Sequence, residues 1–291
     1  MSLANINDIH ASAMLVELSI SQWSGRKFDR KTSHRIAQEA GVDNKVGAYH
    51  KQLVGGETLH KIKKKVNEIR AYHYRHTLPW SDNGPRVLPT DQYFDYMEDM
   101  QKFNAEYDAL TKQFVEEYPF VREESKRMLG SLFDDEDYPS TDRIANKFGM
   151  DISILPMPTA DDFRVTLAED ELEKVRQDIE QRTHATLMRT MNEVYDRVFK
   201  VLDSFIDRLE DQDTVFRNSL VDNAHELVDL LPRFNLTQDP KIDEIAERMR
   251  ESLLRHAPDD LRQDQAARRQ TFNAAKEIKQ DALDFFNGAF A

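Results

Sequence analysis

Apolar side chains recur at helical spacing along the last two thirds of the chain. From Tyr93 to Phe114 they follow one another at intervals of three and four residues, which is the period of one face of an α-helix. A second stripe from Leu172 to Leu209 predicts a rod of about 57 Å at roughly 1.5 Å per residue. A stripe this long needs a partner of similar length. The sequence offers the helix at 90–118, the C-terminal helices or another subunit.

The first ninety residues show shorter and more mixed patterns. Residues 13–23 and 45–54 carry β-forming side chains in partial alternation and predict strands. Between them, a run with a Thr/Ser cap that ends at Gly41 predicts a helix of two turns. A glycine pair then precedes a longer helix over 57–77, whose apolar stripe predicts one buried face.

Prolines divide the rest of the chain. We expect Pro119 to bend or break the helix that begins near residue 90, and a short helix to cover 140–149. Three later prolines separate three or four shorter helices. Two further prolines restrict the extended segment 150–165 to edge or connector geometry, and we expect this segment to pair back with the N-terminal strands.

These patterns predict an α+β fold that is predominantly α. A small mixed N-terminal module with a few strands is expected to lie on long antiparallel, coiled-coil-like helices. The predicted domains are a basic mixed α/β module at 1–90 and an acidic helical region at 91–291. We expect the protein to form a homo-oligomer through its long helices.

Charge is distributed unevenly between these two regions. The 291 residues are 40% apolar and 32% charged, with a mean hydropathy of -0.70 and a formal net charge of -13. Residues 1–90 hold 14 Lys and Arg against 8 Asp and Glu, whereas residues 91–291 hold 26 against 45. Such asymmetry indicates either a surface for a polyanion or two regions that attract each other within one fold or between subunits.

The chain contains no cysteine, which excludes disulfides, thiolate metal sites and cysteine nucleophiles. The first twenty residues lack a basic leader pattern, and no segment approaches the roughly 18 unbroken apolar residues of a membrane span. We therefore expect a soluble, unprocessed, cytoplasmic protein with no membrane partner.

Sequence signatures of common enzymes are absent. The chain has no P-loop, no dinucleotide glycine fingerprint, no Gly-x-Ser-x-Gly elbow and no His-Glu-x-x-His pair. We predict no enzymatic activity, no catalytic residue, no metal ligand and no cofactor. A metal-dependent enzyme that uses the carboxylates at 134–137 is an alternative, although that stretch lacks the alternating ligands and glycine bend of a calcium loop. His73 and His76 stand about one helical turn apart, with His60 upstream, so a metal pair is geometrically possible, but their positions on the helix favour packed or interfacial histidines.

Basic and aromatic side chains are the best candidates for contact chemistry. Cations neutralise phosphates and aromatic rings stack on unpaired bases, and both types cluster in the stretch at 24–31 and in the 57–77 helix. The predicted nucleic-acid-binding residues are Arg26, Lys27, Phe28, Arg30, Lys31, Lys61, Lys64, Lys65, Tyr72 and Arg75. Asp29 and Glu68 interrupt this charge, so a merely solvated face is the competing interpretation.

Several segments resemble an uncharacterised family of tailed phages, prophages and mobile elements. They are "QWSGRKFDRK", "YHYRHTLPWSDNG", "RVLPTDQYFDYMEDM", "LFDDEDYPS" and "PMPTADDFRV". The resemblance implies a phage or prophage source and a cytoplasmic setting in an infected or lysogenic bacterial host. It implies no catalytic residue.

Two functional hypotheses follow. The first is a non-catalytic phage-type protein of DNA metabolism that binds nucleic acid, with single-stranded DNA as one candidate. The second is a scaffold or adaptor that assembles through its long helices with itself, with an ATPase or with another phage protein.

Overall fold

The computed structural model describes residues 11–159, 169–210 and 216–290. The strands are β1 (Ala13–Ser21), β2 (Arg26–Phe28), β3 (His50–Gln52), β4 (Leu78–Pro79), β5 (Arg86–Pro89) and β6 (Gly149–Leu155). The helices are α1 (Arg30–Ala40), α2 (Glu57–His76), α3 (Tyr93–Leu129), α4 (Thr141–Ile144), α5 (Glu169–Glu210), α6 (Asn218–Phe234), α7 (Pro240–Ser252), α8 (Pro258–Gln263) and α9 (Gln265–Phe290). Short 3-10 turns cover Thr90–Gln92, Gly130–Leu132, Asp135–Asp137 and Ala145–Lys147.

The fold is α+β and predominantly α, as the sequence predicts. Helices account for 71% of the chain, and a small antiparallel sheet lies near the N-terminus. The order of the four-stranded sheet is β4-β5-β1-β6, and β2 and β3 form a separate hairpin. In the sheet, β1 pairs antiparallel with β5 from Ala13↔Pro89 to Val16↔Arg86.

The neighbour of β1 on its other side is β6. The first part of the extended segment 150–165 thus lies beside the N-terminal strand, and residues 160–165 fall outside the described ranges. The predicted strand at 45–54 is much shorter in the structure, where only His50–Gln52 pairs with β2 as a strand.

The chain forms two compact units. Unit one comprises Met1–Glu17, Arg75–Phe94 and Ser153–Ala291, and unit two comprises Leu18–Tyr74 and Asp95–Ile152. The predicted domain division at residue 90 stays a prediction.

Unit one is built around α5 and α9, which run antiparallel. Arg268 near the start of α9 donates to the carbonyl of Leu209 at 3.1 Å near the end of α5. The ring of Tyr195, in the middle part of α5, stacks on that of Phe285 near the end of α9 with centroids 6.2 Å apart. The apolar stripe of α5 is buried from Leu187 to Leu209 in one core with side chains of α6, α7 and α9. The partner helices of this part of the stripe therefore come from the C-terminal part of the same chain.

Unit two is built around α2 and α3, which also run antiparallel. Thr58 near the start of α2 donates to Glu117 at 2.6 Å, and Tyr72 near its end donates to Asp99 at 2.9 Å. The helix that begins near residue 90 does not break at Pro119, because α3 continues through Pro119 to Leu129.

The turn before the hairpin depends on Gly25. Its φ of 63° lies in the left-handed region, and a Cβ there would stand 2.7 Å from Cδ2 of Leu59 on α2. The carbonyl of Gly25 accepts from the amide of Leu53 at 2.8 Å, which extends the pairing of the hairpin. Asp29, and not the predicted Thr or Ser, then caps α1 by accepting from the Thr32 amide at 2.9 Å.

We predict that Gly25→Ala lowers the free energy of unfolding by about 2 kcal/mol or more, because the methyl group adds a clash to the cost of a left-handed backbone. The measurement is urea denaturation followed by circular dichroism. Gly47→Ala is the matched control, since no heavy atom lies within 4 Å of a Cβ built there. Equal stabilities of the two variants would contradict this account of the turn.

Candidate functional site

The positive charge of the N-terminal third is largely balanced inside unit two. Residues 18–74 hold 12 Lys and Arg against 5 Asp and Glu, whereas residues 95–152 hold 7 against 15. Unit two therefore has a formal net charge near neutrality. Basic side chains remain available to a partner only where acidic ones do not reach them.

Carboxylates of α3 neutralise one flank of α2. Lys65 lies between Glu106 at 2.6 Å and Glu68 at 2.8 Å, and only 17% of its side chain is exposed. Burial lowers the pKa of Lys65, but the two carboxylates outweigh it and raise that pKa above its ordinary value. Lys61 pairs with Glu57 at 2.8 Å on the same helix. Both lysines were predicted to contact nucleic acid, and both have carboxylate partners in the structure.

The position of Tyr72 corrects a second expectation. Its ring is buried, with 8% of the residue exposed, and it packs against the rings of Tyr96 and Phe103. Burial and the hydrogen bond to Asp99 raise the pKa of Tyr72. A ring held in the core is not available to stack on a base. Tyr72 belongs to the interior that joins α2 to α3.

The hairpin formed by β2 and β3 has two different faces. Lys27 and Lys51 are cross-strand partners on one face, and both ammonium groups contact the carboxylate of Asp137, whose side chain is 4% exposed. Lys51 also donates to the Leu132 carbonyl at 3.0 Å. Burial raises the pKa of Asp137, but hydrogen bonds from the two lysines outweigh it and hold that pKa below its ordinary value. Lys27 is thus part of a structural clamp.

The acidic loop at 133–139 is folded against the unit by similar contacts. Asp135 pairs with Arg122 at 3.0 Å, and the hydroxyl of Tyr138 donates to the Leu53 carbonyl at 2.6 Å.

His73 is buried and its Nδ1 lies 2.7 Å from the Tyr96 hydroxyl. Within the described ranges, no group of three or more His, Asp and Glu side chains is placed to hold a metal ion.

The other face of the hairpin meets the start of α2, where Arg26 and Gln52 line one pocket with His60 and Lys63. Strand alternation turns Arg26 and Phe28 away from Lys27, and their cross-strand partners are Gln52 and His50. The rings of Phe28 and His50 lie 5.5 Å apart, and Phe28 is 48% exposed. We call this hairpin surface, together with four polar or basic side chains of α2 that α3 does not cover, the outer basic face. Its members are Arg26, Phe28, His50, Gln52, His60, Lys63, Lys64 and Arg70.

The structure brings only part of the predicted set to this face. Arg26, Phe28 and Lys64 belong to it, and Arg30 and Lys31 are exposed at the start of α1. Arg75 lies in unit one, where it pairs with Glu226 at 3.3 Å.

Sequence reasoning missed five members of the outer basic face, which are His50, Gln52, His60, Lys63 and Arg70. His60, Lys63 and Arg70 lie on the flank of α2 that α3 does not cover, and a helical wheel alone does not say which flank is covered. His50 and Gln52 are the cross-strand partners of Phe28 and Arg26. This pairing can be recognised only when the register of the hairpin is known.

Comparisons of the chain with protein-family models, with curated proteins and with solved structures find no match. The resemblance to a phage family stays a prediction. Among the described residues, no helix is long and apolar enough to cross a membrane.

We predict that Asp137→Asn lowers the free energy of unfolding by about 3 kcal/mol at neutral pH, because it leaves the buried ammonium group of Lys51 without its carboxylate. Urea denaturation measures this change. Asp135→Asn is the control, since 69% of the Asp135 side chain is exposed in its ion pair, and such pairs contribute at most about 1 kcal/mol.

The stabilising effect of Asp137 is expected to depend on pH. The folded protein holds the pKa of Asp137 below its ordinary value of 3.8, so the unfolded chain takes up the proton first as pH falls. The contribution is full above about pH 4 and is lost as pH falls through the folded pKa. A difference between wild type and Asp137→Asn that stays constant down to pH 2 would contradict the clamp.

Proposed function

We propose that the protein is a non-catalytic nucleic-acid-binding protein that contacts a single strand through the outer basic face. The observation that carries this proposal is the coincidence of four cationic side chains with an exposed aromatic pair. The cations are Arg26, Lys63, Lys64 and Arg70, and the pair is Phe28 with His50.

The arrangement suits a flexible strand better than a duplex. Phosphates of nucleic acid attract clustered cations without regard to sequence. The faces of unpaired bases stack on exposed aromatic rings, whereas the bases of a duplex are already stacked on each other. The exposed ring of Phe28 beside Arg26 supplies both contacts within one short strand.

The biological setting is a further part of the proposal. The resemblance to a phage family supports a role in phage DNA metabolism in the cytoplasm of a bacterial host. Homo-oligomerisation and an ATPase partner stay predictions, and no contact described above depends on them.

The scaffold hypothesis stays a prediction. That hypothesis started from the apolar stripe of α5, which was expected to need a long partner. Side chains of α6, α7 and α9 bury this stripe from Leu187 to Leu209, whereas Leu172, Val175 and Ile179 at its start are half-buried.

We predict that the affinity for oligothymidine falls steeply as the salt concentration rises. The double variant Lys64→Gln with Arg70→Gln is expected to bind more weakly. The slope of log affinity against log salt concentration should decrease in magnitude by about 1.4, which is about 0.7 for each lost phosphate contact. Fluorescence anisotropy across a salt series measures both quantities. The control is Lys61→Gln with Lys65→Gln, which removes the same charge from the same helix at positions already paired with carboxylates.

Equal losses in the two double variants would show that net charge, and not the outer basic face, governs binding. The absence of binding at low salt would refute the proposed function itself.

A further inference from the structure

A small polar pocket opens between the hairpin and the first two turns of α2. Its volume is about 150 Å³, and its walls are formed by Ser24, Arg26 and Gln52 on one side and by Gly56, His60 and Lys63 on the other. Val54 and Leu59 also line it.

The lining of this pocket is cationic. Arg26, His60 and Lys63 all contribute side chains, and no carboxylate lines the pocket. Among the described residues, these three side chains make no ion pair. Their neighbours Lys27 and Lys61, by contrast, are both neutralised by carboxylates. A concave site that gathers two unneutralised cations, Arg26 and Lys63, with further hydrogen-bond donors favours an anion.

The size of the pocket restricts the anion. Pockets that enclose a whole drug-sized molecule measure roughly 300–1,000 Å³, so a volume of about 150 Å³ fits a single anionic group better than a complete nucleotide. Arginine and lysine are the side chains that most often bind phosphate, since both supply charge-assisted hydrogen bonds.

The number of cations favours a phosphate at a strand end. A phosphate inside a strand carries one negative charge and is flanked by sugars on both sides. A terminal phosphate monoester carries close to two charges near pH 7 and presents three free oxygens. Two permanent cations, a histidine and the Ser24 hydroxyl match the second group better than the first.

We infer that this pocket binds the terminal phosphate monoester of a nucleic-acid strand. The identity of this occupant rests on the proposed function, whereas the affinity for phosphate rests on the pocket alone. The outer basic face then holds the following nucleotides, with Phe28 and His50 next to the first of them.

The test uses two pairs of labelled oligothymidines. In the first pair the 5′ end carries either a phosphate or a hydroxyl group, and in the second pair the 3′ end does. The fluorescent label is always on the opposite end. Anisotropy titrations use wild type, Arg26→Gln with Lys63→Gln, and the control Lys61→Gln with Lys65→Gln. Wild type and control are expected to prefer a phosphate at one of the two ends. They should bind that phosphorylated strand about tenfold tighter than the matching strand with a hydroxyl group. The pocket variant is expected to lose this preference. Circular dichroism and melting temperatures establish that all three proteins are folded.

Two results would overturn the inference and leave the proposed function intact. One is that wild type binds hydroxyl and phosphate ends equally well. The other is that the pocket variant keeps the full preference, which would place the phosphate elsewhere.

If no strand binds, the proposed function fails and inorganic phosphate decides the role of the pocket. A ligand that binds only the folded state raises the melting temperature. A rise with sodium phosphate, relative to sodium chloride at equal ionic strength, in wild type but not in the pocket variant would establish a site for free phosphate. The same response in both proteins would refute any phosphate site in the pocket.

Discussion

The arrangement of unit two depends on one interaction. Acidic side chains of the unit neutralise its basic N-terminal segment. Carboxylates from α3 and from the loop after it meet the cations of α2 and of the hairpin at Lys65 and Lys27. These contacts accompany the burial of apolar and aromatic side chains between the helices, so charge pairing and packing specify the same arrangement of α2 against α3.

This neutralisation also determines which cations are left for a partner. The antiparallel packing of α2 on α3 covers one flank of α2 and leaves the flank of Lys63 and Arg70 open. Alternation along β2 does the same for the hairpin, because Lys27 turns toward Asp137 while Arg26 turns outward. Cations without a carboxylate partner, Arg26 and Lys63 among them, therefore meet at one pocket, although unit two as a whole is close to neutral.

The long helices could be predicted from the sequence, because their apolar side chains recur periodically. The contacts that these helices make with other parts of the chain could not be predicted. The stripe from Leu172 to Leu209 was enough to place α5, because ten turns of regular apolar spacing leave little doubt about periodicity. A hairpin with strands of three residues is too short to show a period, so the partners of Arg26 and Phe28 were not visible. The prediction that Tyr72 and Lys65 contact nucleic acid has a related weakness. Tertiary packing decides which flank of α2 is covered by α3, and the sequence of α2 alone does not show it.

The most direct measurement of this division of charge is lysine acetylation read by mass spectrometry, with and without oligothymidine. The account predicts that bound DNA reduces the acetylation of Lys63 and Lys64 and leaves that of Lys61 and Lys65 unchanged. Protection of Lys61 and Lys65 as strong as that of Lys63 and Lys64, or no protection of any of the four, would contradict it.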